Sequence, residues 1–161
     1  MWAVHQVYNT LIEIDSTMQM APSLAKRWMV SPDNKTFTFY LRNDVFFAND
    51  DCFKNIPRKL TAKDVEYSFY RIIDKATASP GAWIFNNRVD SLEPFKAIDD
   101  TTFQLKLKKP FQSILGILSM QYCSIVAKEA VDFYENDFRR HPVGTGPFSF
   151  VAWEEGQALV L

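Results

Sequence analysis

Residues 36–42 constrain the fold more than any other segment, because apolar and polar side chains alternate along them without interruption. One face carries Phe37, Phe39 and Leu41, and the other carries Thr36, Thr38, Tyr40 and Arg42. A period of two is typical of a β-strand that is buried on one face only. Turn-forming residues follow at Asn43 and Asp44. We therefore predict that residues 36–47 form a β-hairpin, with residues 45–47 as its second arm.

A second strand with the same alternation is predicted over residues 101–108. Phe103, Leu105 and Leu107 share one face there, and Pro110 ends the strand. Later in the chain, residues 148–153 and 158–161 have strand composition around a turn that begins at Glu154. Several strands joined by turns predict a largely antiparallel sheet.

A helix is predicted over residues 62–74, between the two alternating segments. Thr61 is a favourable N-cap, and Asp64 at the third helical position completes a capping arrangement. Val65, Phe69 and Ile73 then share one face, which we expect to be buried against the sheet. Shorter helices are predicted near residues 114–118 and at 128–134. These elements together indicate an α+β fold, with hairpins and packed helices on a largely antiparallel sheet.

Composition and charge exclude several classes of function. The formal net charge is −1, and the short basic cluster at residues 139–141 is too small to bind a phosphate backbone, so we expect no nucleic-acid partner. Cys52 and Cys123 lack the spacing of a metal-binding motif, and the sequence leaves open whether they pair. No signal peptide is visible at Met1, and no apolar stretch approaches the roughly 20 residues that span a bilayer.

No set of residues in the sequence predicts catalysis or metal binding. The run at residues 144–147, Gly-Thr-Gly-Pro, lacks the lysine of a phosphate-binding loop and precedes a strand, so we expect a stiff turn with positive φ at glycine. His5 and His141 have no nucleophile at an informative spacing, and the paired carboxylates lie in predicted turns. We expect no catalytic residue, no cofactor and no metal ligand, although an enzyme with an unrecognised site remains an alternative.

The chain resembles the family 5 extracellular solute-binding proteins, which include the peptide-binding proteins of bacterial ABC importers. The resemblance depends on six anchors in the family's order: residues 7–11, 22–28, 33–42, 60–69, 99–110 and 144–148. It implies a two-lobed clamp of the periplasmic-binding-protein type, of which residues 1–161 would be a piece of the N-terminal lobe, with the second lobe absent. One departure is the loop at residues 48–59, which is longer than the family's usual Asp-Gly turn.

The resemblance also implies a function that requires no chemical step. Members of this family bind a peptide or another small solute and deliver it to a membrane permease, and closure of the clamp is the signal. The implied location is the periplasm or the cell surface, where such proteins include lipoproteins, and we expect a monomer. Because the family also includes binders of nickel chelates, haem, oligosaccharides and opines, the solute itself is not identified. A self-contained interaction or regulatory domain derived from this fold is the alternative.

Two segments are predicted to face the solute. In oligopeptide-binding relatives, the loop after the long helix and the segment after the second short helix look toward the ligand. The corresponding candidate ligand-binding residues in this chain are Gly81, Ala82, Trp83, Met120, Gln121 and Tyr122. Pro80 and Gly81 predict a loop around Trp83, and aromatic and methionine side chains suit the binding of varied groups. The competing interpretation is that these residues close the edge of the core.

Overall fold

The computed structural model describes residues 3–154 and 158–161, and its centre is a four-stranded antiparallel sheet. The strands are β1 Ile12–Ile14, β2 Met20–Pro22, β3 Ala25–Val30, β4 Thr36–Leu41, β5 Phe95–Asp99, β6 Thr102–Lys106, β7 Ala152–Glu154 and β8 Ala158–Val160. The α-helices are α1 Val4–Val7, α2 Ala62–Ile73, α3 Ile114–Leu118 and α4 Lys128–Tyr134. The central sheet has the order β3-β4-β6-β5, while β1 pairs with β2 and β7 pairs with β8. The predicted α+β class is confirmed.

Strands β4 and β6 form the middle of the sheet, and their alternating residues divide into two faces as predicted. Phe39 lies opposite Phe103 and Phe37 lies opposite Leu105, and all four side chains are fully buried. On the other face the Gln104 side chain donates a hydrogen bond of 3.2 Å to the Thr38 hydroxyl. The alternation therefore separates a core face from a polar face.

The predicted hairpin over residues 36–47 is wrong. Strand β4 pairs with β3 on one side and with β6 on the other, so it has no free edge for a second arm. The chain leaves the sheet after β4, and Phe46 makes an isolated bridge with Lys59 instead. The true hairpin partner is β3, whose exposed charged residues hide its strand character in the sequence.

Helix α2 covers the core face of β5 and β6, and its bounds agree with the prediction to one residue. Val65 and Phe69 are fully buried as predicted, whereas Ile73 is only half-buried and packs at the edge of the core. Polar groups also attach the helix to β5. Glu66 accepts a hydrogen bond of 2.7 Å from the backbone N–H of Ala97.

The other predicted elements are confirmed in part. Helices α3 and α4 have the predicted positions, and β6 lies within the predicted strand. The strand predicted over residues 148–153 begins only at Ala152, and most of the predicted turn after it lies outside the described residues. The loop predicted over residues 48–59 contains one short 3-10 helix, Asp51–Phe53.

The glycines of the Gly-Thr-Gly-Pro run are required by close approach to α1 and not, as predicted, by positive φ. A β-carbon on Gly144 would lie 2.0 Å from the carbonyl oxygen of Val7, and one on Gly146 would lie 2.4 Å from that of Gln6. Between these contacts, the Gly146 N–H donates a hydrogen bond of 2.8 Å to the Val7 carbonyl. The run therefore fastens two segments that are distant in sequence.

Asp64 combines the cap of α2 with a buried ion pair. Its Oδ2 atom accepts hydrogen bonds from the Thr61 N–H at 2.7 Å and from the Thr61 hydroxyl at 3.0 Å. Its Oδ1 atom lies 2.7 Å from Nη2 of Arg58, which also binds Glu129 of α4. The Asp64 side chain is only 3% exposed, so its charge depends on these partners.

Replacing Asp64 with asparagine is expected to lower the free energy of unfolding by about 2–3 kcal/mol, because the amide cannot satisfy both Thr61 and Arg58. Urea denaturation followed by circular dichroism measures this change. Asp44→Asn is the matched control, because the Asp44–Arg42 pair is well exposed and should contribute little. Equal effects from the two substitutions would contradict the role given to Asp64.

Candidate functional site

The two predicted ligand-facing segments lie side by side in the structure. A β-carbon on Gly81 would be 2.7 Å from Cβ of Tyr122, so the two backbones approach closely only because residue 81 is glycine. The predicted loop around Trp83 is in fact a short 3-10 helix, Ala82–Ile84. A second 3-10 helix, Gln121–Cys123, carries Tyr122. We call this pair of turns the candidate site.

The first turn is fixed by backbone hydrogen bonds and by one buried side chain. The N–H of Ala82 donates to Ser79 O at 3.1 Å, and the N–H of Ile84 donates to Gly81 O at 3.0 Å. Ile84 is fully buried and belongs to the hydrophobic core. Ala82 is half-buried beside it, while the neighbouring Trp83 side chain is 46% exposed. The core therefore holds the backbone and leaves the indole at the surface.

The second turn follows α3 in the same manner. Met120 donates its N–H to Ile117 O at 3.0 Å and accepts from the Cys123 N–H at 2.8 Å. Cys123 is fully buried, whereas Met120 is 37% exposed. Tyr122 is half-buried and packs against the core, and Gln121 is half-buried next to it. Trp83 and Met120 are therefore the members of the candidate site that offer the most surface to a ligand.

Arg88 extends the candidate site and has no counterpart in the sequence prediction. Its Nη1 atom donates hydrogen bonds to Trp83 O at 2.9 Å and to Ile84 O at 3.0 Å. Its Cζ atom lies 5.8 Å from the centroid of the Trp83 ring and 5.1 Å from that of Phe111. The sequence does contain one signal for this role, because an arginine a few residues after a turn can donate hydrogen bonds to the free carbonyl groups of that turn.

The thiols and histidines do not form a reactive set in the described part of the chain. Burial raises the pKa of the Cys123 thiol to about 12, and burial together with Asp50 raises the pKa of Cys52 to about 12. Both thiols are free and protonated at neutral pH, which makes them poor nucleophiles. His141 stacks on Tyr134 with ring centroids 4.2 Å apart, and its Nε2 lies 3.2 Å from Asp137. Among the described residues, no cluster of three or more His, Cys, Asp or Glu could hold a metal ion.

Comparison with protein families gives a direct assignment. Residues 19–161 match the family described as bacterial extracellular solute-binding proteins, family 5, middle region. This match includes well over half of the chain. The chain belongs to the family 5 solute-binding proteins. The resemblance drawn from the six sequence anchors is thereby confirmed, and this family is defined by solute binding and not by an enzymatic activity.

Individual relatives agree with the assignment of the chain to the family 5 solute-binding proteins. The chain is 31% identical to "Probable ABC transporter periplasmic-binding protein SapA" of Escherichia coli, covering 97% of this chain and 31% of the relative. It is 32% identical to the "Dipeptide-binding protein" of the same organism, covering 95% of this chain and 31% of the relative. The chain thus spans about a third of the length of the curated relatives it matches.

A solved structure gives the same result for the fold. The chain is similar to the ABC transporter-associated periplasmic binding protein DppA from Helicobacter pylori, which was solved in complex with the peptide STSA. The TM-score is 0.82 at 34% sequence identity, and the alignment covers 96% of this chain and 32% of the other. The predicted likeness to the periplasmic-binding-protein fold is therefore confirmed. In the described residues of this family 5 protein, no helix is long and apolar enough to cross a membrane.

Proposed function

We propose that this chain is part of the substrate-binding component of an ABC importer and that the candidate site contributes to its solute cleft. The observation that carries the proposal is the convergence of the two turns at Gly81 and Tyr122, which places Trp83 and Met120 at the surface on a buried base. A rigid backbone with partly exposed aromatic and methionine side chains suits a site that accepts varied groups.

We further propose that the solute is a peptide. The dipeptide-binding relative and the neighbour that was solved with a peptide support this choice. The chain would supply part of the N-terminal lobe, and a second lobe would complete the cleft. Closure of the two lobes on the solute would signal to the permease, so the protein would bind and would not catalyse. The working location would be the periplasm or the outer face of the cell membrane.

Mass spectrometry of the ligand released on denaturing the intact protein tests the class of solute. A released peptide is the expected result. A released lipid, nucleotide or sugar would contradict the peptide proposal. If no ligand is released and the protein instead forms a stable complex with another protein, the alternative of an interaction domain would be favoured.

Replacing Trp83 or Met120 with alanine in the intact protein is expected to weaken peptide binding about tenfold or more, since contact side chains at the centre of a site often contribute more than 1 kcal/mol. The melting temperature should change little, because both side chains are partly exposed. Calorimetric titration and thermal denaturation measure the two quantities separately.

Phe133→Ala is the matched control for this experiment, because Phe133 is a large, exposed aromatic residue on α4 outside the candidate site. It should change neither quantity. A lowered melting temperature with unchanged affinity in the Trp83 and Met120 variants would instead assign both residues to the edge of the core.

A further inference from the structure

A basic pocket lies next to the candidate site and shares Arg88 with it. Its volume is about 270 Å³, and its lining residues are Asn87, Arg88, Lys108, Lys109, Pro110 and Phe111. Three of the six carry a positive charge, and none carries a negative charge. We call it the basic pocket.

Arg88 is held in place in the basic pocket. Its two hydrogen bonds to the carbonyl groups of residues 83 and 84 both use Nη1, and no described residue accepts a hydrogen bond from the other guanidinium nitrogens. The rings of Trp83 and Phe111 lie close to the guanidinium and limit its motion. The backbone N–H of Lys108 also donates a hydrogen bond of 2.8 Å to the carbonyl of Arg88, which fixes the backbone of Lys108 beside that of Arg88. A fixed guanidinium loses little entropy when it binds a carboxylate.

The positive charge of the basic pocket is not neutralised by the described part of the chain. Arg88, Lys108 and Lys109 form no ion pair there. The nearest acidic residues in sequence are engaged elsewhere: Asp90 accepts from the N–H groups of Leu92 and Glu93, and Glu93 pairs with Lys96 and Lys106. Three cations around an apolar ring therefore attract an anion from outside the chain.

We infer that the basic pocket binds a carboxylate group of the solute. This inference rests on the proposed function, since it assigns the pocket to the same cleft as Trp83. The group would be an acidic side chain or the C-terminal carboxylate of the peptide. The planar guanidinium of Arg88 matches the two oxygens of a carboxylate, and the two lysines add charge at the rim.

Succinate and its neutral diamide, succinamide, test the basic pocket without a peptide. The intact protein is labelled with 5-fluorotryptophan, and the Trp83 ¹⁹F resonance is assigned with the Trp83→Phe variant. Succinate should shift this resonance in a saturable manner, and the shift should weaken as salt is added. Succinamide should have no effect. An unchanged Trp83 resonance in succinate would overturn the inference.

The lysines of the basic pocket are tested with the double variant Lys108→Gln, Lys109→Gln, which should weaken succinate binding about tenfold. The control variant Lys26→Gln, Lys63→Gln makes the same change in net charge at the other end of the sheet. Lys26 follows Ala25, which pairs with Leu41 at the end of β4, and Lys63 follows Ala62, whose N–H donates to Asp100 O in the turn between β5 and β6. The basic pocket lies beyond Lys106, which pairs with Thr36 at the start of β4. The control should bind succinate normally. An equal loss of succinate affinity in both double variants would contradict the inference, because the net charge of the protein alone would then explain the binding.

Three tripeptides then test the solute itself. Ala-Glu-Ala should bind the intact protein about tenfold more tightly than Ala-Gln-Ala if an acidic side chain occupies the basic pocket. If the C-terminal carboxylate occupies it, these two should bind equally and the amidated Ala-Gln-Ala should bind more weakly. Lys108→Gln, Lys109→Gln should remove whichever preference is found.

The outcomes separate the two proposals. Equal binding of all three tripeptides would overturn the inference and leave the proposed peptide function intact. No tripeptide binding, with a normal succinate response, would contradict the peptide function and retain the basic pocket as a carboxylate site.

Discussion

Replacing Phe69 with alanine is expected to lower the free energy of unfolding by about 3–5 kcal/mol, the range found for fully buried phenylalanine residues. Phe69 is completely buried on α2. Its ring lies 5.1 Å from that of Phe85, 5.5 Å from Phe95 and 5.4 Å from Phe103, measured between centroids. The substitution would therefore leave a cavity in contact with β5, β6 and the turn that precedes Arg88.

Urea denaturation of the wild-type protein and of Phe69→Ala measures this loss. Phe133→Ala is the control, because it removes the same ring from an exposed position and should change stability by less than about 0.5 kcal/mol. A loss below about 1 kcal/mol for Phe69→Ala would mean that the aromatic cluster relaxes to fill the space, contrary to the close packing expected of a core.

Replacing Gly144 with alanine is expected to destabilise the protein by about 3 kcal/mol or more, beyond the usual cost of adding a methyl group to a core. The new β-carbon would lie 2.0 Å from Val7 O and 2.8 Å from Cδ1 of Tyr8. Relief requires α1 to move away from residues 144–148. Such a movement would break the hydrogen bond from the Gly146 N–H to Val7 O and that from the Phe148 N–H to Gln6 O.

Gly116→Ala is the matched control for Gly144→Ala. Gly116 lies in α3, and beyond the backbone of its own helix no atom comes within 4 Å of the place where a β-carbon would lie. Alanine should therefore stabilise the protein by about 0.5–1 kcal/mol through helix propensity. Thermal denaturation measures both variants. Similar melting temperatures for the two variants would show that α1 can move away from the Gly-Thr-Gly-Pro run without a loss of stability. That result would contradict the proposed importance of the contact between them.

Helix α2 was predicted well because its signals are local. The cap formed by Thr61 and Asp64, and the apolar spacing from Val65 to Phe69, are contained within a few turns of one segment. The hairpin at residues 36–47 was predicted wrongly because strand pairing is not local. Nothing within residues 36–47 indicates that β3 and β6 occupy both edges of β4.

The candidate site also has features that the sequence predicts and features that only the tertiary structure reveals. The family resemblance pointed to residues 81–83 and 120–122, but the assignment of these residues to a ligand remains a prediction. Only the structure brings Gly81 against Tyr122 and places Arg88 between the Trp83 and Phe111 rings. The sequence likewise predicts positive φ at the glycines of residues 144–147 and gives no sign of their contact with α1, because α1 lies far away in sequence.

The sequence by itself determined the α+β class, the faces of β4, β6 and α2, and membership of the solute-binding family. These features depend on periodicity, capping and the order of motifs, all of which act over short stretches of chain. The tertiary structure alone decided which strands pair, why residue 144 must be glycine, and where positive charge is left without a partner. Those features depend on contacts between segments that are distant in sequence, whose distances are set only when the whole core has packed.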